Sequence, residues 1–599
     1  MRINDFGITF STVNGSGSAT ANNTIQRAIF KMGIPVCARN IFPSNIQGLP
    51  TWYALRVSQK GFLGRLEKDD ILVCMNPETI QDDLAKLNLN GILLVNDNIE
   101  TSKVPDGITS YRMPVSKILK DAQVQPNLSL YLANMVYVGV LAYLIGIDLE
   151  KIEIALDHHF ASRRSAIDAN LDIVKMAATW AHDAFQTPCD YRLEAIENAN
   201  DMIMVDGNTA GALGALYGGL QYSAWYPITP ATGLAESLND YIPSLRTDPE
   251  TGNISCVVVQ AEDELAAIGM VVGAGWAGLR SMTSSSGPGL CLMSEYLGLA
   301  YFAEVPIVVW DVQRVGPSTG LPTHTSQGDL SFSYFISHGD IDMIILLPAN
   351  VGECFEFGWK ALDIAEELQT PVIVLSDLEM GMNIWMTNQF AYPETRMERG
   401  KILWEKDLDK ILKSDAPDWG RYKDLDGDGI PYRTVPGNLH EKAAYFTRGT
   451  GHDESARYSE DAAEWEANLL RIQKKFEQAK SLLPKAMLHG NGKTGVGFIS
   501  YGSSDMAMPE AVDILAAAGI TSDYFRIRAL PFTNEVRDYI QAHEEIYVVE
   551  ANRDGQMCEL LRMKYPMTAG RINSIARCNG LSLSAEWIVK QFLHARKEK

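Results

Sequence analysis

Short apolar runs alternate along most of this chain with longer stretches whose apolar positions recur at helical spacing, a rhythm of strands and helices. From Phe6, "FGITFSTVNGSGSATANNTIQRAIFKMG" reads as strand, glycine turn and helix. The turn residues Asn14, Gly15, Ser16, Gly17 and Ser18 would aim backbone N–H groups at an anion, although many such turns use glycine only to turn. Residues 128–147, "LSLYLANMVYVGVLAYLIGI", are long enough to span a bilayer. They carry Ser129 and Asn134 within a globular pattern, so a buried helix is expected.

A second unit opens near residue 200 with "MVDGNTAGALGALYGGLQYSAWYPITP". Gly207, Ala210, Gly211, Gly214, Ala215 and Gly218 make one helix face nearly flat, which permits close backbone packing. Val/Ile-rich strands then alternate with helices to about residue 385, predicting a mostly parallel sheet covered on both faces. Ligands of such sheets lie at the carboxyl ends of strands, where Pro227, Ser285 and Arg314 fall. Residues 386–490 are rich in Trp, Lys, Glu and Asp, with a long helix predicted at 459–483, and read as a connecting arm. From Gly495 the α/β rhythm resumes. The expected class is α/β and multidomain, divided at 1–195, 196–390, 391–490 and 491–599.

A length of 599 residues suits several domains with sizeable cores. The formal charge of -22 argues against general affinity for nucleic acid or anionic membrane. Cysteines 37, 74, 189, 256, 291, 354, 558 and 578 are scattered, with no cluster able to ligate zinc or an iron–sulfur centre. Reduced thiols and a start, "MRINDFGITF", without signal-peptide character predict a cytoplasmic protein.

Two local motifs invite other readings. "GNGKTG" at 490–495 imitates a phosphate loop, but Met487 stands where the full pattern needs glycine, and the segment precedes a strand instead of following one. "DLDGDGIPYR" places Asp424, Asp426 and Asp428 at spacings of a calcium loop, with Val435 where a bidentate Glu is expected; a small metal loop and a polar turn both remain open. Its Gly-Asp-Gly lacks the preceding buried strand and the following asparagine that a diphosphate–magnesium site requires.

Taken in order, "GNTAGALGALYGGLQYSAWYPITPATGLAE", "VQAEDELAAIGMVVGAGWAG", "TSSSGPGLCLMSE" and "DVQRVGPSTGLPT" resemble the α chain of the 2-oxoacid:ferredoxin oxidoreductases. They look closest to the 2-oxoglutarate type in which a γ domain is fused ahead of the α part. "RNIFPSNIQGLPTWYALRVS" is similar to that γ domain and "YVVEANRDGQM" to the last α-chain domain. The resemblance implies a γ α/β domain, a thiamine-diphosphate-binding domain of pyrimidine type and a transketolase C-terminal-like domain. It also implies a partner β subunit holding the diphosphate, Mg2+ and a 4Fe-4S cluster, an (αβ)2 assembly, and ferredoxin as electron acceptor.

Residue by residue, the resemblance makes Glu264 the carboxyl that hydrogen-bonds N1′ of the aminopyrimidine, with Glu262 the alternative. Tyr226, Pro227, Ile228 and Thr229 fall on the same pyrimidine side. Arg314 matches the arginine that holds the substrate carboxylate, a task suited to a planar fork. Thr229 would reach substrate too, and Ser318, Thr319 and His324 lie in or beside a loop typical of 2-oxoglutarate members. Gly15, Ser16, Gly17, Ser18 and Asn22, with Asn23, look like the region receiving coenzyme A. The implied activity is thiamine-dependent oxidative decarboxylation of 2-oxoglutarate to succinyl-CoA, reversible for CO2 fixation. The alternatives are pyruvate or a branched 2-oxoacid as substrate, and a non-catalytic scaffold of the same fold.

Overall fold

A computed structural model describes the chain except residues 44–47, 102–103, 186–188, 197–200, 395–396, 414–418, 491, 493 and 598–599. The first unit is built on a six-stranded sheet in the order Val36–Ile41, Pro50–Ser58, Asp5–Val13, Asp69–Cys74, Leu87–Asn96 and Thr109–Met113. Strand Asp5–Val13 runs through the glycine turn into helix Ser18–Lys31. Gly17, at φ +79, is needed there, because a Cβ would also meet Tyr131 at 2.8 Å.

Among the described residues one helix, Pro126–Gly146, is long and apolar enough to cross a membrane. It lies inside the fold against helix Arg164–Ala184. A Cβ on Gly139 would stand 2.2 Å from the Val174 carbonyl oxygen, so close helix packing explains the glycine.

The central sheet has seven strands in the order Val257–Gln260, Tyr222–Trp225, Ser281–Ser285, Ile307–Gln313, Pro371–Asp377, Ile344–Leu346 and Ala529–Leu530. All pairings are parallel except the last, where a short strand from the C-terminal part closes the edge. The flat face of helix Gly207–Tyr217 packs on helix Val351–Leu368, where a Cβ on Gly214 would lie 2.1 Å from the Phe355 carbonyl oxygen.

The arm's long helix spans Ala462–Ala479, starting later than expected because the Asp461 carboxylate caps the N–H groups of Ala463 and Glu464. Buried Glu304 fastens it to the central unit, accepting from Lys475 Nζ at 2.8 Å and from Arg471. A five-stranded C-terminal sheet follows in the order Met487–His489, Asp523–Arg526, Val496–Ser500, Glu545–Glu550 and Ile572–Ala576. The segment 490–495 therefore also follows a strand, an edge strand the sequence pattern did not reveal; its residues 491 and 493 lie outside the described residues. Two of its amides are already engaged, since Gly492 N and Thr494 N donate to the Asp523 carboxylate at 3.0 and 2.9 Å.

Candidate cofactor and substrate site

Thr229, Glu264, Ser285 and Arg314 lie at or just beyond the carboxyl ends of four neighbouring strands. Chain order reverses between Tyr222–Trp225 and Ser281–Ser285, which opens a crevice at that edge. Arg314 is only 6% exposed, and its Nη1–H donates to the Thr229 carbonyl at 2.7 Å, while buried Nε has no partner among the described residues. Thr232 and Asn208 hold the rest of the proline-flanked loop. The Ile228 N–H donates to Thr232 Oγ1 at 3.1 Å, and Asn208 Nδ2 donates to the Pro230 carbonyl at 2.8 Å. Tyr226 and Pro227 are exposed at its outer side.

The three adjacent acids separate by burial. Asp263 caps helix Glu264–Trp276 by accepting from Ala266 N, and it stays exposed with Glu262. Glu264 turns inward beside Ser285 and Gly289. A Cβ on Gly289 would stand 2.8 Å from Glu264 Cγ and 2.1 Å from Ser285 Oγ, so a side chain there would fill the space.

On these strand ends and the segments beside them, several buried polar atoms have no hydrogen-bond partner among the described residues: Ser285 Oγ, Ser286 Oγ, Arg314 Nε, both Asp311 oxygens and Asp329 Oδ2, with Asn208 Oδ1 beside Gly381. Leaving such a group unsatisfied costs about 1–3 kcal/mol, so the crevice is built for a polar guest. A carboxyl, hydroxyls and a guanidinium fit an aminopyrimidine beside a carboxylate-bearing substrate. Sequence reasoning passed over Asp311 and Asp329. Burial raises both carboxyls, Asp329 to about 6 and Asp311 well above the ordinary range. Burial also lowers the Arg314 guanidinium, against the pull of these two acids.

Other expected residues lie elsewhere. Ser318 and Thr319 sit exposed on the turn closed by Val315 and Leu321, and His324 packs on Gly580, lining a small cleft with Arg39, Glu379 and Asn383. The His324 carbonyl accepts from Val315 N at 3.0 Å, one residue after Arg314, while its ring turns to Gly580. Gly15, Gly17, Ser18, Asn22 and Asn23 line a cavity of about 570 Å3, walled also by Asn40, Tyr53, Tyr131 and Asn383. Ser16 is not on that wall; its carbonyl accepts from Asn134 Nδ2 at 2.8 Å.

The metal reading of Asp424, Asp426 and Asp428 is corrected. Lys401 Nζ stands 2.6 Å from Asp426 and 2.8 Å from Asp428, and Asp424 accepts the N–H groups of Asp428 and Gly429. An ammonium supplies the positive charge, and among the described residues no group of three or more metal-ligating side chains could hold an ion.

Comparison with known proteins agrees with this architecture. The family "Pyruvate flavodoxin/ferredoxin oxidoreductase, thiamine diP-bdg" matches residues 213–407, and "Pyruvate ferredoxin/flavodoxin oxidoreductase" matches 7–180. The chain is 30% identical over 614 residues to 2-oxoacid:ferredoxin oxidoreductase 1, subunit alpha, of Sulfurisphaera tokodaii, covering 94% of each chain. With 2-oxoglutarate synthase subunit KorA of Methanothermobacter marburgensis it shares 33% over 370 residues, 60% of this chain and 90% of the relative. A solved 2-oxoglutarate:ferredoxin oxidoreductase from Magnetococcus marinus, with 2-oxoglutarate, coenzyme A and succinyl-CoA bound, superposes with a TM-score of 0.89 at 28% identity over 99% of both chains. The crevice at the carboxyl edge of a parallel sheet and full-length similarity to named α subunits lead to one conclusion: this chain belongs to the 2-oxoacid:ferredoxin oxidoreductase α-subunit family.

Proposed function

We propose that this chain is the α part, with a fused γ unit, of a cytoplasmic enzyme that oxidatively decarboxylates 2-oxoglutarate with coenzyme A, giving succinyl-CoA and CO2 and passing electrons to ferredoxin. In the reverse direction the same site fixes CO2. The observation that carries the reading is the joining of Thr229 to Arg314 beside Glu264 at one sheet edge. The 2-oxoglutarate names of the Magnetococcus and Methanothermobacter proteins support the substrate.

Thiamine diphosphate, when bound, supplies the carbon nucleophile and electron sink for the decarboxylation. Glu264 would hold a proton at the aminopyrimidine ring nitrogen, where the surrounding burial strengthens the contact. Arg314 would present its fork to the oxoacid carboxylate, with the Thr229 hydroxyl alongside. We assign residues 1–195 to the γ unit, 196–390 to the pyrimidine-type unit, 391–490 to the arm and 491–599 to the C-terminal unit. The cavity at the Gly15–Ser18 turn would take coenzyme A through asparagine amides and helix N–H groups, since no lysine or arginine is among its described lining residues. A separate β chain would hold the diphosphate, Mg2+ and a 4Fe-4S cluster in an (αβ)2 complex, in keeping with the α-subunit names of the relatives. Turnover of a panel of 2-oxoacids by the complex tests the reading; preference for pyruvate or a branched oxoacid would replace 2-oxoglutarate.

A further inference from the structure

A cavity of about 360 Å3 lies at the seam of the first and last units, between one face of the six-stranded sheet and the segment after strand Ile572–Ala576. Its size falls at the lower end of small-molecule pockets. With the cavity at the Gly15–Ser18 turn it shares only Trp52. Ile41, Trp52, Leu66, Leu72, Leu87 and Leu581 make its walls largely apolar, and of the lining residues only Lys86 is exposed. The seam is fixed around it, since Arg65 Nε donates to the Ser582 carbonyl at 3.1 Å and Ser584 Oγ donates to Glu67 at 2.6 Å. Charges on the walls are matched unevenly. Arg39 pairs with Glu379, Arg56 with Glu510 and Lys86 with Asp83. Arg65 and Arg577 share a single carboxylate, Glu67, at 2.6 and 2.8 Å. Asp69 forms no ion pair among the described residues; Thr9 Oγ1 donates to its Oδ2 at 2.6 Å, and burial raises its carboxyl to about 6. The walls thus hold two guanidiniums on one carboxylate and one carboxylate without a cation, five cations against five carboxylates in all. A guest of one net charge would leave this balance broken in buried surroundings, whereas a zwitterion serves both groups.

We propose that this cavity is a separate ligand site, one that takes an α-amino acid with a large apolar side chain. Arg65 and Arg577 receive the carboxylate, a group their planar forks suit, and Asp69 receives the ammonium. The side chain lies among Leu66, Leu72, Leu87 and Trp52. No covalent bond is made or broken, and the site depends on neither the thiamine nor the coenzyme A assignment above. Arg577 and Leu581 come from the last unit, and Asp69, Leu66 and Trp52 from the first. The bound amino acid therefore bridges the two units and stabilises their seam by mass action.

The test uses the complex of this chain with its partner, and L-tryptophan and L-phenylalanine as probes. Calorimetric titration should show saturable binding of at least one of them, with a Tm that rises as its concentration grows. The matching analogues without the ammonium (indole-3-propionate, 3-phenylpropionate) and without the carboxylate (tryptamine, 2-phenylethylamine) should each bind at least about tenfold more weakly, the worth of one charged hydrogen bond. That comparison needs only the wild type. Asp69→Asn removes the charge, keeps an acceptor for Thr9, and should weaken amino-acid binding by at least about tenfold while leaving the carboxylate analogues as they were. Leu581→Trp, which fills the cavity without touching a charged group, should abolish binding. Size-exclusion chromatography of the assembled complex reports that each variant folds. Wild type that binds neither amino acid, analogues that bind as tightly as their parents, or an affinity unchanged in both variants would overturn the proposal.

Discussion

Arg314 donates its Nη1–H to the carbonyl of Thr229 at 2.7 Å, tying the end of one central strand to the proline-flanked loop that follows another. The same guanidinium thus fixes the loop, and its buried Nε has no partner among the described residues. Arg314→Ala should lower kcat/KM for the oxoacid by about tenfold to a hundredfold, the worth of a charge-assisted hydrogen bond of about 1.5–3 kcal/mol. Arg314→Lys keeps the charge but loses the fork, and steady-state kinetics should place it between the two.

Glu264 is the inward member of three consecutive acids, while Glu262 and Asp263 stay in solvent. Glu264→Gln keeps the shape and removes the ionisable proton, so turnover should fall by about a hundredfold or more while the complex still assembles. Glu262→Gln should be close to wild type. Equal losses in the two variants would point to helix capping in place of a direct role.

How much of this was legible beforehand depended on sequence distance. Thr229, Glu264 and Arg314 each sit inside a recognisable local pattern. Asp311 is embedded in the apolar run "VPIVVWDVQR", and Asp329 is tied to that strand through its N–H on Gln313 Oε1, a contact no spacing announces. The Asp424–Asp428 loop misled for the converse reason: its local spacing suits a metal, yet its counter-charge, Lys401, comes from an earlier part of the arm. Strand Ala529–Leu530 joins the central sheet from the C-terminal part, and its shortness hid it.

Lys401 offers its own check. Lys401→Met leaves Asp426 and Asp428 without their cation, so added Ca2+ should raise the Tm of that variant and leave wild type unchanged. Calcium stabilisation of wild type through this loop would restore the metal reading.

Glu304 anchors the arm. Burial opposes its ionisation, but Arg471 and Lys475 outweigh that and hold the carboxyl down to about 2 from the usual 4.5. A depressed carboxyl contributes stability that is complete above the unfolded value and is lost as pH falls from about 4.5 through about 2. Glu304→Gln should cost about 3–5 kcal/mol near neutral pH by leaving two buried cations uncompensated. Thermal unfolding should show the gap to wild type narrowing in acid.

Gly17 sits at φ +79 against Tyr131 on the wall of the proposed coenzyme A cavity. Gly17→Ala strains the turn by about 1–3 kcal/mol, so KM for coenzyme A should rise about tenfold while KM for the oxoacid holds. A parallel rise in both would argue that the turn supports the fold alone.

The most direct test of the central claim is the ratio of kcat/KM for 2-oxoglutarate over pyruvate, measured as coenzyme A-dependent ferredoxin reduction by the purified complex. 2-Oxoglutarate should be favoured by at least about tenfold, the scale on which a site contact separates related substrates. A ratio of one or below would contradict it.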